Sequence, residues 1–181
     1  MMRVKRVKRT NKTQRKLYLA YGSNLSADQM DYRCPDARIV GQAVIEDYEL
    51  LFKGSQSGCY ATIEQKKGSK VPVLVWSISE DDEASLDVYE GVAGGFYYKK
   101  DLEVDIQPIG AYTGLTGTHK AMVYIMDERR MFGIPSVRYY NTLHDGYKEF
   151  DFDLNILEHG LFESCRRKYD IKSSVEIGNL K

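Results

Sequence analysis

Leu17-Tyr18-Leu19-Ala20-Tyr21-Gly22-Ser23-Asn24-Leu25-Ser26 is the stretch that decides the fold, because the local pattern changes at its centre. Its first half alternates between two faces, as a β-strand does. Ser26 is a good helix N-cap, and Gln29 three residues later completes a capping-box pattern. Between them, Gly22-Ser23-Asn24 predicts a sharp turn, since glycine adopts positive φ freely and asparagine tolerates it.

A turn of this kind presents backbone N–H groups beside a helix N-terminus. Such a place binds anions, either carboxylate or phosphate. The alternative interpretation is a well-capped strand-to-helix turn that holds no ligand. The local chemistry leaves both interpretations open.

Length and composition are typical of one globular domain of 181 residues, with 43% hydrophobic and 29% charged residues. Tyrosine is overused, with 14 residues against 6 phenylalanines and 1 tryptophan. Tyrosine suits half-buried walls that meet water or a polar ligand, although a β-rich core explains most of these residues equally well.

The zero net charge conceals an asymmetry. Residues 1–16 hold eight lysines or arginines and no acid, which predicts a flexible basic arm ahead of a single domain over residues 17–181. The rest of the chain carries 18 basic and 26 acidic residues. An acidic body argues against nucleic-acid binding by the domain, so we expect such binding, if any, through the arm alone. Oligomerisation is left open.

Cysteine usage and hydropathy predict a cytoplasmic protein. Cys34, Cys59 and Cys165 are scattered without metal-ligand spacing, and their odd number favours reduced thiols. The chain has no apolar run near 18 residues, so we expect no membrane partner. The basic N-terminus lacks the apolar segment of a signal peptide.

Along the chain, the patterns predict an α+β fold: a mixed sheet of about six strands with flanking helices. We expect helices over roughly Ala27–Arg33, Ser79–Glu90, Pro135–Phe150 (kinked near Gly146) and Asn155–Tyr169. We expect strands over Leu17–Tyr21, Arg38–Ile45, Tyr48–Phe52, Cys59–Glu64, Val71–Ser79, Tyr97–Ile106 and Lys120–Met126, with a turn at Lys66–Ser69. The segments on either side of residues 46–47 also fit one long bent strand.

Glu90 is the second residue with a chemical signal. It ends the predicted helix, in Leu86-Asp87-Val88-Tyr89-Glu90-Gly91-Val92, and Gly91 is a natural C′ stop. The negative end of the helix dipole and burial beside Tyr89 and Val92 both disfavour a charged carboxylate. Such a carboxyl group can exchange protons near neutral pH. An exposed glutamate at a frayed helix end is the alternative.

Other chemistries lack support in the sequence. The histidines His119, His144 and His159 show no pairing with a serine or cysteine and no metal-ligand spacing. Neither a Walker A motif nor G-x-G-x-x-G occurs, so phosphoryl transfer and dinucleotide binding are unsupported. We therefore expect neither a metal nor a cofactor.

Together these segments resemble the γ-glutamylcyclotransferase-like family, which includes the AIG2-like proteins. Tyr21-Gly22-Ser23-Asn24-Leu25 is similar to the family signature after a first strand, and Glu90-Gly91 to its spaced glutamate, with Tyr97 following as an aromatic residue. Pro135-Ser136-Val137-Arg138-Tyr139 is similar to the Pro-Ser-x-x-Tyr segment of a late helix. The resemblance spans roughly residues 17–161.

The resemblance implies a partly closed, β-barrel-like sheet and a cyclotransferase that converts a γ-glutamyl amine or amino acid to 5-oxoproline and a free amine. It implies that Glu90 is the general acid/base, and that the turn formed by Tyr21, Gly22, Ser23, Asn24 and Leu25 binds the substrate α-carboxylate. Tyr139 would hydrogen-bond the substrate and Tyr97 would form a pocket wall; packing roles are the alternative for both. The leaving group is not determined. A carboxylate-binding module without catalysis is the alternative function.

Overall fold

The computed structural model describes residues 15–55, 58–109 and 115–178, with side chains as far as residue 170. Its strands are β1 (Lys16–Ala20), β2 (Arg38–Ser55), β3 (Gly58–Ile78), β4 (Tyr97–Ile106), β5 (Gly117–Met126) and β6 (Met131–Phe132). Its α-helices are α1 (Ala27–Arg33), α2 (Glu80–Tyr89), α3 (Val137–Glu149) and α4 (Leu154–Gly178). Short 3-10 turns occur at Ser23–Leu25 and Val92–Gly94.

The strands form one mixed sheet in the order β4-β5-β1-β3-β2-β6. β1 lies near its centre, parallel to β5 and antiparallel to β3. The sheet curls until the end of β4 reaches β2, where Gln42 and Gln107 exchange two backbone hydrogen bonds of 2.8 and 2.9 Å. This bridge confirms the predicted α+β fold with a partly closed, barrel-like sheet.

The helices close the core and hold the turn after β1. α4 packs on β2, where Ser164 Oγ accepts a hydrogen bond from the Phe52 amide at 2.7 Å. α3 packs on the turn through Gly146, whose missing side chain leaves room for Leu25. Leu25 is fully buried, so the turn is anchored from below.

Most predicted elements are confirmed. α1 spans the predicted residues, and Ser26 caps it through the Gln29 amide. α2 begins at the Ser79 cap, where Asp82 completes a capping box, and Gly91 ends it in the left-handed region at φ 64°. β4 occupies the predicted range.

The predicted turn at Lys66–Ser69 is wrong. β3 continues through it, paired with β2 on both sides, and the extra residues form an irregular bulge opposite Asp47. The Gly68 amide donates to Asp47 Oδ1 at 2.7 Å. Asp47 at φ 60° and Gly68 at φ 82° both adopt the left-handed region, which lets the chain bulge without reversing. β2 is correspondingly one long strand.

Three smaller expectations also need correction. α3 runs unbroken through Gly146 because that glycine serves close packing rather than a kink. α4 continues past Tyr169 to Gly178. Lys16 already belongs to β1, and the Arg15 guanidinium donates to Ser77, so the described chain is ordered two residues before the predicted domain start. Residues 1–14 of the predicted arm lie outside the described residues.

Within the described ranges, no helix is both long and apolar enough to cross a membrane.

Gly41 makes the sheet closure possible, so Gly41→Ala should destabilise the protein by about 1–3 kcal/mol. An added Cβ would lie 2.5 Å from the Gln107 carbonyl oxygen and 2.7 Å from Ile106 Cγ2. Urea unfolding measures the change. Gly94→Ala, where a Cβ meets nothing within 4 Å, is the matched control and should stay within about 0.5 kcal/mol of wild type. Equal stability of the two variants would contradict the closure argument.

Candidate active site

Two adjoining cavities open where β1 meets the ends of α2 and β4. The inner chamber has a volume of about 30 Å³ and the outer cleft about 500 Å³. Ser23, Glu90 and Tyr97 line both, so they form the boundary between the two spaces. The inner chamber suits one small polar group, and the outer cleft is large enough for the rest of a small molecule.

The turn between β1 and α1 forms one side of the inner chamber. Its backbone is a 3-10 turn in which the Leu25 amide bonds to the Gly22 carbonyl at 3.0 Å. Gly22 has a φ of −109°, and no residue of the turn has positive φ. The expectation that glycine or asparagine adopts positive φ in this turn is therefore wrong. Gly22 instead provides space, since a Cβ there would lie 3.3 Å from the Tyr139 hydroxyl.

Asn24 connects the turn to four other elements. Its buried side chain donates from Nδ2 to the Tyr18 hydroxyl at 2.8 Å and to Glu90 Oε1 at 3.3 Å. Its Oδ1 accepts from the Arg33 guanidinium at 2.5 Å. Its backbone carbonyl accepts from the Trp76 indole at 3.1 Å. The asparagine amide therefore orients the glutamate and is itself fixed from both ends.

Glu90 occupies the C-cap position of α2, where its amide bonds to the Leu86 carbonyl at 2.8 Å. Desolvation of its carboxyl group raises the pKa to about 7, against smaller lowering effects of the Arg33 charge and the Asn24 hydrogen bond. The expected burial of Glu90 beside Tyr89 is wrong, since the Tyr89 side chain is half exposed and its ring lies under the Arg33 guanidinium. The residues of the inner chamber, Tyr18 and Tyr97 among them, surround the Glu90 carboxyl group instead.

Tyrosines form most of the remaining inner wall. The Tyr97 hydroxyl donates to the Ala61 carbonyl at 2.7 Å, and the Ala61 amide donates to the Tyr139 hydroxyl at 3.1 Å. The Tyr21 hydroxyl donates to the Tyr124 carbonyl at 2.6 Å. Burial is the leading cause that raises the pKa of Tyr18, Tyr21, Tyr97, Tyr124 and Tyr139 above the usual value. These hydroxyls therefore stay protonated near neutral pH.

The structure brings most of the predicted site residues to one place. Those that line a cavity are Tyr21, Gly22, Ser23, Asn24, Glu90 and Tyr97. Leu25 lines neither, because its side chain lies in the core below the turn. Tyr139 stands behind the turn, in contact with Gly22 and Ala61, and supports it from α3.

Sequence reasoning missed the two cations of the outer cleft, Arg33 and Arg130, and the aromatic rings of Tyr60 and Phe96. Arg33 carried a usable signal, because it lies on the helix that the turn begins and reaches back to Ser23 and Asn24. Arg130 and the two rings arrive from other strands and loops. No local pattern links them to the turn.

Comparison with known proteins assigns the chain to a family. The family model described as "Gamma-glutamyl cyclotransferase, AIG2-like" matches residues 18–142. The chain belongs to this family. The match covers the turn, Glu90 and Tyr139, so the resemblance seen in the sequence is confirmed.

Individual members of the family show the same similarity. Human γ-glutamylcyclotransferase is 37% identical over 98 residues, and the bovine protein is 35% identical over 98 residues. In each case the matched segment of this chain spans about half the length of the relative. A solved structure of a γ-glutamyl cyclotransferase superimposes with a TM-score of 0.69 at 29% identity, over 81% of this chain and 86% of that one.

The raised pKa of Glu90 predicts a pH-dependent loss of stability. The folded state binds this proton more tightly than the unfolded chain, so the contribution is full below about pH 4.5 and is lost as pH rises through about 7. Glu90→Gln removes the titration. Its stability relative to wild type should therefore increase by about 2 kcal/mol between about pH 5 and pH 8.

Urea unfolding of both proteins across this range measures the difference. Glu80→Gln, at an exposed position in the first turn of the same helix, is the matched control and should keep the loss of stability that Glu90 causes as pH rises. Parallel curves for wild type and Glu90→Gln would rule out a Glu90 whose pKa is raised in the folded state.

Proposed function

We propose that the protein is a cyclotransferase that acts on small γ-glutamyl compounds. The glutamyl α-amine attacks its own γ-carbonyl carbon, the bond from that carbon to the leaving nitrogen breaks, and 5-oxoproline and a free amine result. One observation carries this proposal: a carboxyl group with a pKa near 7 stands between a chamber for a small polar group and a larger cleft. Membership of the family supports it.

Glu90 is the proposed general acid/base. The α-ammonium group must lose a proton before it can attack, and a carboxylate with a pKa of about 7 is half ionised near neutral pH. Two protons leave the attacking nitrogen and two reach the departing nitrogen, so one carboxyl group can carry them in turn. Asn24 holds Glu90 Oε1, which directs the carboxyl group at the boundary between the cavities.

The turn is the proposed α-carboxylate site. Its Leu25 and Ser26 amides already bond within the turn, and the Ser23 amide donates to the Tyr139 hydroxyl. The backbone donors for a ligand therefore lie at Gly22 and Asn24, with the Ser23 hydroxyl beside them. The Arg33 guanidinium reaches Ser23 Oγ at 3.3 Å and adds positive charge beside them. Tyr21 lines the chamber, and Leu25 and Tyr139 hold the turn in place.

Tyr97 is the proposed wall between the two spaces. Its hydroxyl proton is donated to the Ala61 carbonyl, so toward a ligand this oxygen is an acceptor. The attack is intramolecular, and the site's main task is to hold the amine and carbonyl in contact. The unpaired thiols of Cys34, Cys59 and Cys165 agree with a cytoplasmic location, which we also propose.

Glu90→Gln should reduce kcat for 5-oxoproline formation by about 10²–10⁴-fold, because glutamine keeps the hydrogen bond from Asn24 and cannot carry a proton. The assay incubates the protein with γ-glutamyl amino acids and γ-glutamyl amines and quantifies 5-oxoproline. Glu80→Gln should retain wild-type turnover. Unchanged turnover in Glu90→Gln would remove Glu90 from the proposed mechanism.

The same assay distinguishes a binding module. Such a module would be stabilised against heat by γ-glutamyl compounds and yield no 5-oxoproline from any of them. A cyclotransferase would yield 5-oxoproline as the wild-type protein. Its Glu90→Gln variant would still be stabilised against heat by γ-glutamyl compounds, because it binds them and turns them over far more slowly.

A further inference from the structure

The outer cleft contains two arginines that have no carboxylate partner within 4 Å among the residues described. The Arg33 guanidinium is engaged by Ser23 and Asn24 and stacks on Tyr89 at 4.8 Å from the ring centroid. Two such cations in one cleft of an otherwise acidic domain point to an anionic ligand. Arg33 lies against the turn, and its charge belongs with the proposed α-carboxylate site.

Arg130 has different surroundings. Its guanidinium lies 4.5 Å from the centroid of the Phe96 ring and has a long hydrogen bond of 3.5 Å to the Gly95 carbonyl. The nearby Asp127 carboxylate is occupied by Arg129, which donates to it at 2.6 Å. Arg129 is the main cause that holds the pKa of Asp127 well below its usual range, and Arg130 makes the smallest contribution. Most of the donors of Arg130 therefore remain for a ligand.

The position of Arg130 assigns it to the leaving group. Its platform, Phe96, packs against Tyr97 at 5.5 Å between ring centroids and against Tyr60 at 6.3 Å. This wall extends outward from the boundary that Glu90 and Tyr97 form. Glu90 delivers its proton to the leaving nitrogen, so whatever that nitrogen carries extends into the cleft along Phe96. Gly94 leaves this side open, since a Cβ there would meet nothing within 4 Å.

We propose that Arg130 binds a carboxylate on the departing amine, so that the site favours γ-glutamyl amino acids over γ-glutamyl amines without a carboxylate. This specificity rests on the proposed function. A guanidinium stacked on an aromatic ring presents its fork edge-on, which matches a carboxylate in two-point contact. Arg130 acts on binding of the leaving group and takes no part in proton transfer.

A binding experiment tests the proposal separately from catalysis. Glutarylglycine keeps the carboxylate at both ends of a γ-glutamyl amino acid and lacks the α-amine, so it cannot cyclise; N-methylglutaramate additionally lacks the leaving-group carboxylate. Calorimetry on the wild-type protein should show glutarylglycine binding about tenfold more tightly. Arg130→Gln should abolish this difference. Arg138→Gln, which changes an exposed arginine outside the cleft, should preserve it.

Equal affinity of the two compounds for the wild-type protein would overturn the proposal, and so would an unchanged ratio in a folded Arg130→Gln variant. The wild-type comparison needs no substitution, so it decides even if that variant fails to fold.

Turnover then separates this proposal from the proposed function. The kcat/KM for γ-glutamylglycine should be about tenfold higher than for γ-glutamylmethylamine. The difference should lie in KM, and kcat should be the same for both substrates. Absence of 5-oxoproline from both, together with selective binding of glutarylglycine, would contradict the cyclotransferase and leave the anion site intact. Product from both at equal kcat/KM would contradict the role of Arg130 alone.

Discussion

The hydrogen bonds of Asn24 are the contacts on which the site depends. One buried amide joins β1 through Tyr18, α1 through Arg33 and the end of α2 through Glu90. Its Nδ2 donates to the Glu90 carboxyl group, and its Oδ1 accepts from the Arg33 guanidinium. An unpaired polar group at this depth costs about 1–3 kcal/mol, so the arrangement fixes the turn and the glutamate together.

The fold makes these hydrogen bonds possible by bringing the ends of several strands and helices together. β1 lies inside the sheet, so the turn that follows it opens beside β5 and β3 rather than at an edge. α2 follows β3 directly and ends at the same chamber, where Gly91 in the left-handed region turns the chain away after Glu90. Pairing of β4 with β5 and the hydrogen bond from the Tyr97 hydroxyl to the Ala61 carbonyl hold Tyr97 opposite the turn. A desolvated carboxyl group is the chemical result.

Local signals in the sequence predicted the parts of this site that local structure determines. Ser26 as an N-cap, Gly91 as a helix stop and Glu90 before it all follow from short-range rules, as does the order of most elements. The neighbours of Glu90 could not be predicted in this way. Burial by Tyr18 and Tyr97, and the approach of Arg130, depend on how the sheet curls. The bulge at Asp47 shows the same limit. The polar, glycine-containing stretch at Lys66–Ser69 locally favours a turn, but pairing of β3 with β2 on both sides keeps the strand continuous, and this pairing is not visible in the local sequence.

Glu90 titrating near neutral pH is the central claim, and its carboxyl pKa can be measured directly. ¹³C NMR of protein labelled at the glutamate side-chain carboxyl, with Glu90→Gln to assign the signal, follows this group through the pH range. We predict a pKa of about 7 in the wild-type protein and a higher value in Arg33→Gln, where the nearby positive charge is removed. A pKa near the ordinary 4.5, unmoved by Arg33→Gln, would contradict the account.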